Sequence, residues 1–206
     1  MKVLMVGDVV GSVGCDHLRR VLPGIKKQHS IDICVVNGEN AADGNGLTPA
    51  AALHIFDRGA DLITGGNHTF RRHELYDELE RCPLLLRPAN YPTGTPGSGI
   101  GVVDKGRFSL TVINLLGTVY LEPLACPFET LDRLLDEAGH PRFCLVDFHA
   151  EATAEKKALA YYADGRISAL CGTHTHVQTA DAQILPSGTG FLTDVGMTGP
   201  VQSVLG

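Results

Sequence analysis

The sequence predicts an α/β protein in which two sheets pack face to face with helices outside. Three observations lead there. Strand-like and helix-like periods alternate through the first 90 residues, and hairpin patterns mix with further α/β units afterwards. In addition, 44% of the 206 residues are hydrophobic and only 19% are charged. A β-α-β-α order calls for parallel strands with covering helices. So low a charge content suits a chain that buries a large sheet and argues against a disordered or fibrous one.

An apolar run over 2–7 opens the chain and leads to a helical period over about 14–28. A run at 31–37 leads to a helix over about 48–57, with Thr48 placed to cap it and Pro49 at its first position. A run at 60–65 leads to a helix over about 72–81. Arg87–Gly101, rich in Pro and Gly, reads as a long loop. Residues 100–104 and 107–115 form a hairpin turning at Asp104-Lys105-Gly106. A helix over about 127–138, a strand at 142–148, a helix at 152–163 and a strand at 167–172 follow, with short strands near 181–185 and 190–194. There is no internal repeat. The length fits one domain over residues 1–206. Residues 198–206 complete no element, which is consistent with a shortened C-terminal end.

Net charge is -6, with 17 basic against 23 acidic residues and no basic run. An electrostatic grip on a nucleic-acid polymer is therefore not expected. No apolar stretch approaches the roughly 20 residues of a membrane helix, and the N-terminus enters a strand directly, without a signal peptide. None of the six cysteines forms a CxxC pair. Cys34, Cys144 and Cys171 sit inside apolar runs, so we expect reduced core thiols in a cytoplasmic protein.

The ends of the apolar runs carry the chemistry. Lys2–Gly7 ends in Asp8, Ile33–Gly38 in Glu39-Asn40, Leu62–Gly66 in Asn67-His68, Phe143–Phe148 in His149, and Ile167–Cys171 in Gly172-Thr173-His174-Thr175-His176. Period-two alternation would put His174 and His176 on one strand face. Each residue has a plain structural explanation on its own: an N-cap for Asp8, a polar turn for Glu39-Asn40, an Asx-turn for Asn67, a hydrogen-bonded histidine at His149 with Glu151 as partner. His17, His29, His54, His73 and His140 read as surface or boundary residues. The glycines Gly7, Gly11 and Gly14 suggest a tight turn and a close backbone approach. They also suggest a dinucleotide fingerprint, but the spacing is G-x-x-x-G-x-x-G, and Asp8 would repel a pyrophosphate.

Asp8, Glu39, Asn67, His149, His174 and His176 are six oxygen and nitrogen donors, too many for one tetrahedral zinc. They suit two divalent cations such as Fe, Mn or Zn, held close together by a shared ligand. Without a cysteine in the set, a soft-metal or iron–sulfur site is disfavoured.

Taken in order, GDVVG at 7–11, NGEN at 37–40, GGNH at 65–68, VDFHAEAT at 146–153, GTHTHVQTAD at 172–181 and DVGMTGP at 194–200 resemble the YmdB-type branch of the calcineurin-like metallophosphoesterases. The superfamily's usual Asp-x-His is Asp8-Val9-Val10 here, and Glu39-Asn40 replaces its second Asp; both departures fit the branch. The resemblance implies a four-layer α/β/β/α sandwich, two mixed sheets flanked by helices, around a dinuclear centre. It implies one metal on Asp8, Glu39 and His176, the other on Glu39, Asn67, His149 and His174, and phosphate contacts from Asn40 and His68. It further implies hydrolysis of cyclic nucleotides, chiefly 2′,3′-cyclic phosphodiesters, with 3′,5′-cyclic AMP also considered.

The expected reaction is attack by a metal-bridging hydroxide, with His68 protonating the leaving alkoxide. The expected partner is a small phosphorylated substrate, with no nucleic-acid polymer and no membrane; a homo-oligomer is left open. Two alternatives use the same centre: a phosphomonoesterase, and a nucleotide-sensing protein with little turnover. A nicotinamide-dependent enzyme ranks last.

Overall fold

The computed structural model describes residues 1–202. In chain order its elements are β1 (Val3–Val6), β2 (Asp8–Val9), α1 (Gly11–His29), β3 (Ile33–Asn37), α2 (Pro49–Asp57), β4 (Leu62–Thr64), two 3-10 turns (Thr69–Arg71 and His73–Leu75), α3 (Tyr76–Arg81), β5 (Ile100–Asp104), β6 (Ser109–Leu116), α4 (Pro127–Glu137), β7 (Cys144–His149), α5 (Thr153–Tyr162), β8 (Ala169–Thr173), β9 (Gln183–Ile184), β10 (Gly190–Leu192) and β11 (Met197–Thr198). The first sheet has the order β1-β3-β4 and the second β5-β6-β7-β8-β10-β9, while β11 pairs with β2.

Four layers follow from side-chain alternation. In β3, Ile33 and Val35 join Leu62, Val103, Val112 and Leu145 between the two sheets. Cys34 and Val36 face the other way, onto Leu18 and Leu22 of α1 and Ile55 of α2. In the second sheet, Val146 and Phe148 pack under Leu131 and Leu135 of α4 and Leu159 of α5. Two-residue periods on the strands thus feed two different cores. The expected α/β/β/α sandwich is what forms, with one refinement. The pairings of β1, β3 and β4 are all parallel, and only the second sheet is mixed, through the antiparallel β5–β6 and β9–β10 pairs.

Thr48 caps α2 as expected: its side chain accepts from Ala51 N, and Pro49 follows. The hairpin turns at Asp104, whose carboxylate accepts from Gly106 N at 2.7 Å. The helix expected over 72–81 differs. Its first turn is 3-10, and the α-helix begins only at Tyr76.

The glycines after β1 serve chain packing. A Cβ on Gly7 would strike Gly196 O, and one on Gly14 would strike Thr198 O. Met197 and Thr198 lie in register with Asp8 and Val9, so residues 198–206 do begin with paired structure. Residues 203–206 lie outside the described ones. The close backbone partner of these glycines is the chain itself, which removes the motive for a dinucleotide reading.

Candidate metal centre

Every sequence-selected residue sits at or just past a carboxyl end of β1, β3, β4, β7 or β8. Parallel strands of two facing sheets end at one edge, so their end residues converge. Asp8, Glu39 and His149 are buried, and one ligand atom from each lies within 4.8 Å of the others.

The remaining contacts divide into two groups. On one side, His176 Nε2 is 3.0 Å from Asp8 Oδ2, and Asn40 Nδ2 is 3.3 Å from His176 Nε2. On the other, His149 Nε2 is 3.0 Å from Asn67 Oδ1 and 3.1 Å from His174 Nδ1. Glu39 lies between them. Its Oε1 accepts from Asn40 Nδ2 at 2.7 Å and is 3.4 Å from His149 Nε2. Its Oε2 accepts from His68 N at 2.8 Å. His68 Nδ1 is 2.8 Å from Asn40 Oδ1 and 3.2 Å from Glu39 Oε1.

His174 and His176 are not strand residues. β8 ends at Thr173, and both histidines take positive φ, 101° and 64°. Alternation therefore does not place them. A left-handed step before and after Thr175 turns the two rings to opposite sides of the centre. Asp194 holds this turn, accepting from Thr175 N at 3.2 Å and Thr175 Oγ1 at 2.8 Å. Buried Lys156 donates to the same carboxylate at 2.7 Å. Glu151 pairs with His174 Nε2 at 3.1 Å rather than with His149.

The partner of His149 Nδ1 is Thr173 Oγ1, at 2.9 Å. Thr173 Oγ1 donates in turn to Asp147 Oδ1 at 2.8 Å. Asp147 also accepts from Thr64 Oγ1 and from Asn37 Nδ2. This buried set was not singled out from the sequence. Its available signal was a lone carboxylate inside the apolar run Leu145-Val146-Asp147-Phe148. Such a group persists in a core only when it is bonded.

The electrostatics match a crowded anionic site. Burial works against a proton on His149, but the Glu39 and Asp8 carboxylates outweigh it and hold its pKa up at about 9. Burial alone would raise Glu39, yet His149 and His68 keep it well below the carboxylate range. Burial and the neighbouring His149 charge push His174 down to about 4. Asp8 Oδ1 is buried and has no hydrogen-bond partner among the described residues. An orphaned carboxylate oxygen facing imidazoles and a second carboxylate has the chemistry of a cation ligand.

The thiols stand apart. Burial pushes Cys34, Cys144 and Cys171 up to about 12. The described cysteines are all free, and Cys126 is exposed. His17, His29, His73 and His140 are exposed and His54 half-buried. No described helix is long and apolar enough to cross a membrane.

A family model described as YmdB-like protein matches residues 4–206. A 2′,3′-cyclic-nucleotide 2′-phosphodiesterase of Bacillus subtilis (strain 168) is 50% identical over 207 residues, covering 100% of this chain and 78% of its own. Among solved structures, a hypothetical protein from Thermus thermophilus superposes with a TM-score of 0.95 at 45% identity, covering 100% of this chain and 80% of that one. A structure described as a novel phosphatase from Mycoplasma pneumoniae superposes with a TM-score of 0.89 at 35% identity, covering 96% and 72%.

Proposed function

This chain belongs to the YmdB-like family, and from that membership we propose that it is a metal-dependent phosphodiesterase acting on 2′,3′-cyclic nucleotides. The observation that carries the reading is the two-sided donor set bridged by Glu39, with Asp8 Oδ1 orphaned beside it. We assign Asp8, Glu39 and His176 to one divalent cation and Glu39, Asn67, His149 and His174 to the other. All donors are oxygen or nitrogen, which admits Fe, Mn or Zn; of these we take Fe first. Two cations bound there would polarise the phosphate oxygens and make a water acidic near neutral pH.

The chain's own groups do the rest. Thr173 Oγ1 beside Nδ1 orients His149 so that Nε2 faces the centre. Asn40 Nδ2 reaches Glu39, Asp8 and His176, a place from which it meets a substrate oxygen. His68 Nδ1 lies against Asn40 Oδ1 and Glu39 Oε1, which leaves Nε2 as the nitrogen that would serve the leaving alkoxide as general acid.

Elemental analysis together with hydrolysis of 2′,3′-cyclic AMP, 3′,5′-cyclic AMP and a simple phosphate monoester tests the reading. We expect about two metals per chain and the highest turnover on the 2′,3′-cyclic compound. A second reading, phosphomonoesterase, is favoured by the description of the Mycoplasma pneumoniae relative as a phosphatase; faster turnover of the monoester would establish it. In His68→Ala, turnover should fall by about 10²–10⁴ with metal content kept. Asn67→Ala should lose metal. Full occupancy there, or metal loss in His68→Ala, would overturn the assignment.

A further inference from the structure

A cavity of about 630 Å³ is walled by Arg87, Asn90, Tyr91, Cys126, Glu129 and Arg133. Two links connect its wall to the metal centre. Asn90 brackets Leu116, donating to its O at 2.8 Å and accepting from its N at 2.9 Å. Leu116 is the register partner of His149. Tyr91 stacks edge-on against Phe70, with centroids 4.9 Å apart, and Phe70 stands two residues after His68.

Two arginines, Arg87 and Arg133, stand on the wall. Arg87 spends one terminal nitrogen on Pro88 O and Ala89 O, at 2.9 and 3.1 Å. Its Nε is buried without a partner among the described residues. Burial and then the Arg133 charge lower its pKa, against the Glu80 carboxylate, which raises it. Arg133 Nη1 donates to Glu137 on the surface, at 2.9 and 3.1 Å. The first turn of α4 also lines the cavity, and Cys126 supplies no side-chain cap to it. Glu129 is an acid on the same wall, against two guanidinium groups. Guanidinium forks and a helix N-terminus are the chemistry that holds a phosphate.

We propose that this cavity is a second anion subsite of the active centre, taking a phosphate on the 5′ side of the nucleoside whose cyclic phosphate occupies the metal centre. The inference rests on the phosphodiesterase reading above. The volume is that of a nucleotide-sized pocket, and Tyr91 contributes an aromatic ring to its wall. Preferred substrates are then 5′-phosphorylated or dinucleotide species ending in a 2′,3′-cyclic phosphate, ahead of the bare cyclic mononucleotide.

Steady-state kinetics on 2′,3′-cyclic AMP, its 5′-phosphorylated counterpart and a dinucleotide ending in the cyclic phosphate test this. For the metal-loaded enzyme we expect a KM about tenfold lower with the second phosphate, the worth of one charge-assisted contact. Arg133→Gln and Arg87→Gln should erase that advantage and leave the constants for 2′,3′-cyclic AMP unchanged. A gain confined to the monoester assigns a terminal phosphate, and one confined to the dinucleotide assigns an internucleotide diester. Equal KM values in the wild type, or an advantage kept in both variants, would overturn the subsite. Calorimetry of adenosine 5′-monophosphate with the metal-stripped protein gives an independent readout. Binding weakened about tenfold by Arg133→Gln supports the subsite even where no cyclic nucleotide is turned over, an outcome that would sink only the reaction. Absence of binding, or binding indifferent to both arginines, would overturn it.

Discussion

At Gly66 the centre leaves no room for a side chain. A Cβ there would collide with Glu39 Oε2 and His149 Nε2, two groups proposed to share a cation. Gly66→Ala should therefore displace ligands while sparing the fold. The expected result is metal content below about half of wild type with an unchanged circular-dichroism spectrum, since side-chain geometry at a metal tolerates little displacement. Full occupancy would show that Glu39 can swing clear. The residues at this scale differ in how readable they were. Asp8, Glu39, Asn67 and His149 stand at the ends of apolar runs, and strand ends converge in an α/β sheet whatever the packing details. The supporting residues were harder to see. Asn37, Thr64, Thr173 and Asp147 become one network only when the first and second sheets face each other, with Asn37 Nδ2 reaching Asp147 Oδ2 across 110 residues at 3.1 Å.

Among the elements, the turn after β8 shows where periodicity misleads. Two-residue alternation holds only inside a strand, and His174 lies one residue past the last one. What sets the two rings is the buried Lys156–Asp194 pair, which joins α5 to this turn. Lys156→Met leaves a buried, uncompensated carboxylate and should cost about 3–5 kcal/mol of stability. Adding Asp194→Leu should restore much of that loss in urea melts. It should not restore metal binding, because Thr175 and Gly196 then lack their acceptor. Recovery of both properties would make the pair a stability device alone. At the opposite ends of the strands, Asp61 ties three elements together. It accepts from Lys26 of α1 at 3.0 Å, Cys34 N of β3 at 2.8 Å, and Lys105 of the β5–β6 turn at 2.6 Å. Burial would raise its pKa, but Lys105, the Cys34 N–H and Lys26 outweigh it and hold it below the usual range. A depressed folded-state pKa means stability present above about pH 4 and lost as pH falls through the folded value. Asp61→Asn should thus be less stable than wild type at neutral pH, and the gap should close on acidification. A gap that stayed constant with pH would deny the charge any role.

For the molecule as a whole, the donor set spans both sheets. Asp8, Glu39 and Asn67 follow strands of the first, and His149 and His174 belong to the second or follow it. The layered architecture was legible because each strand's two faces carry apolar residues for two separate cores, as Ile33 and Cys34 show. The path of the chain end beside β2 was not. Gly7 and Gly14 announce a close backbone neighbour but do not say which, and Gly196 and Thr198 fill those places only once the fold has closed. The same closure brings two buried carboxylates together at one edge, with a raised His149 as their internal counter-ion. On the proposed assignment, cations take over that role and cross-link the sheets. Binding to the folded state alone adds RT ln(1 + [L]/Kd), about 4 kcal/mol at a thousandfold excess over Kd. For a chain near 200 residues this raises Tm by roughly 8–16 °C. Differential scanning calorimetry before and after chelation should show a drop of that size, reversed by adding back Fe or Mn, and no drop in Glu39→Gln. A wild-type Tm indifferent to chelation, in protein shown to have carried metal, would place the ions outside this centre and break the link between the bridged donor set and the fold.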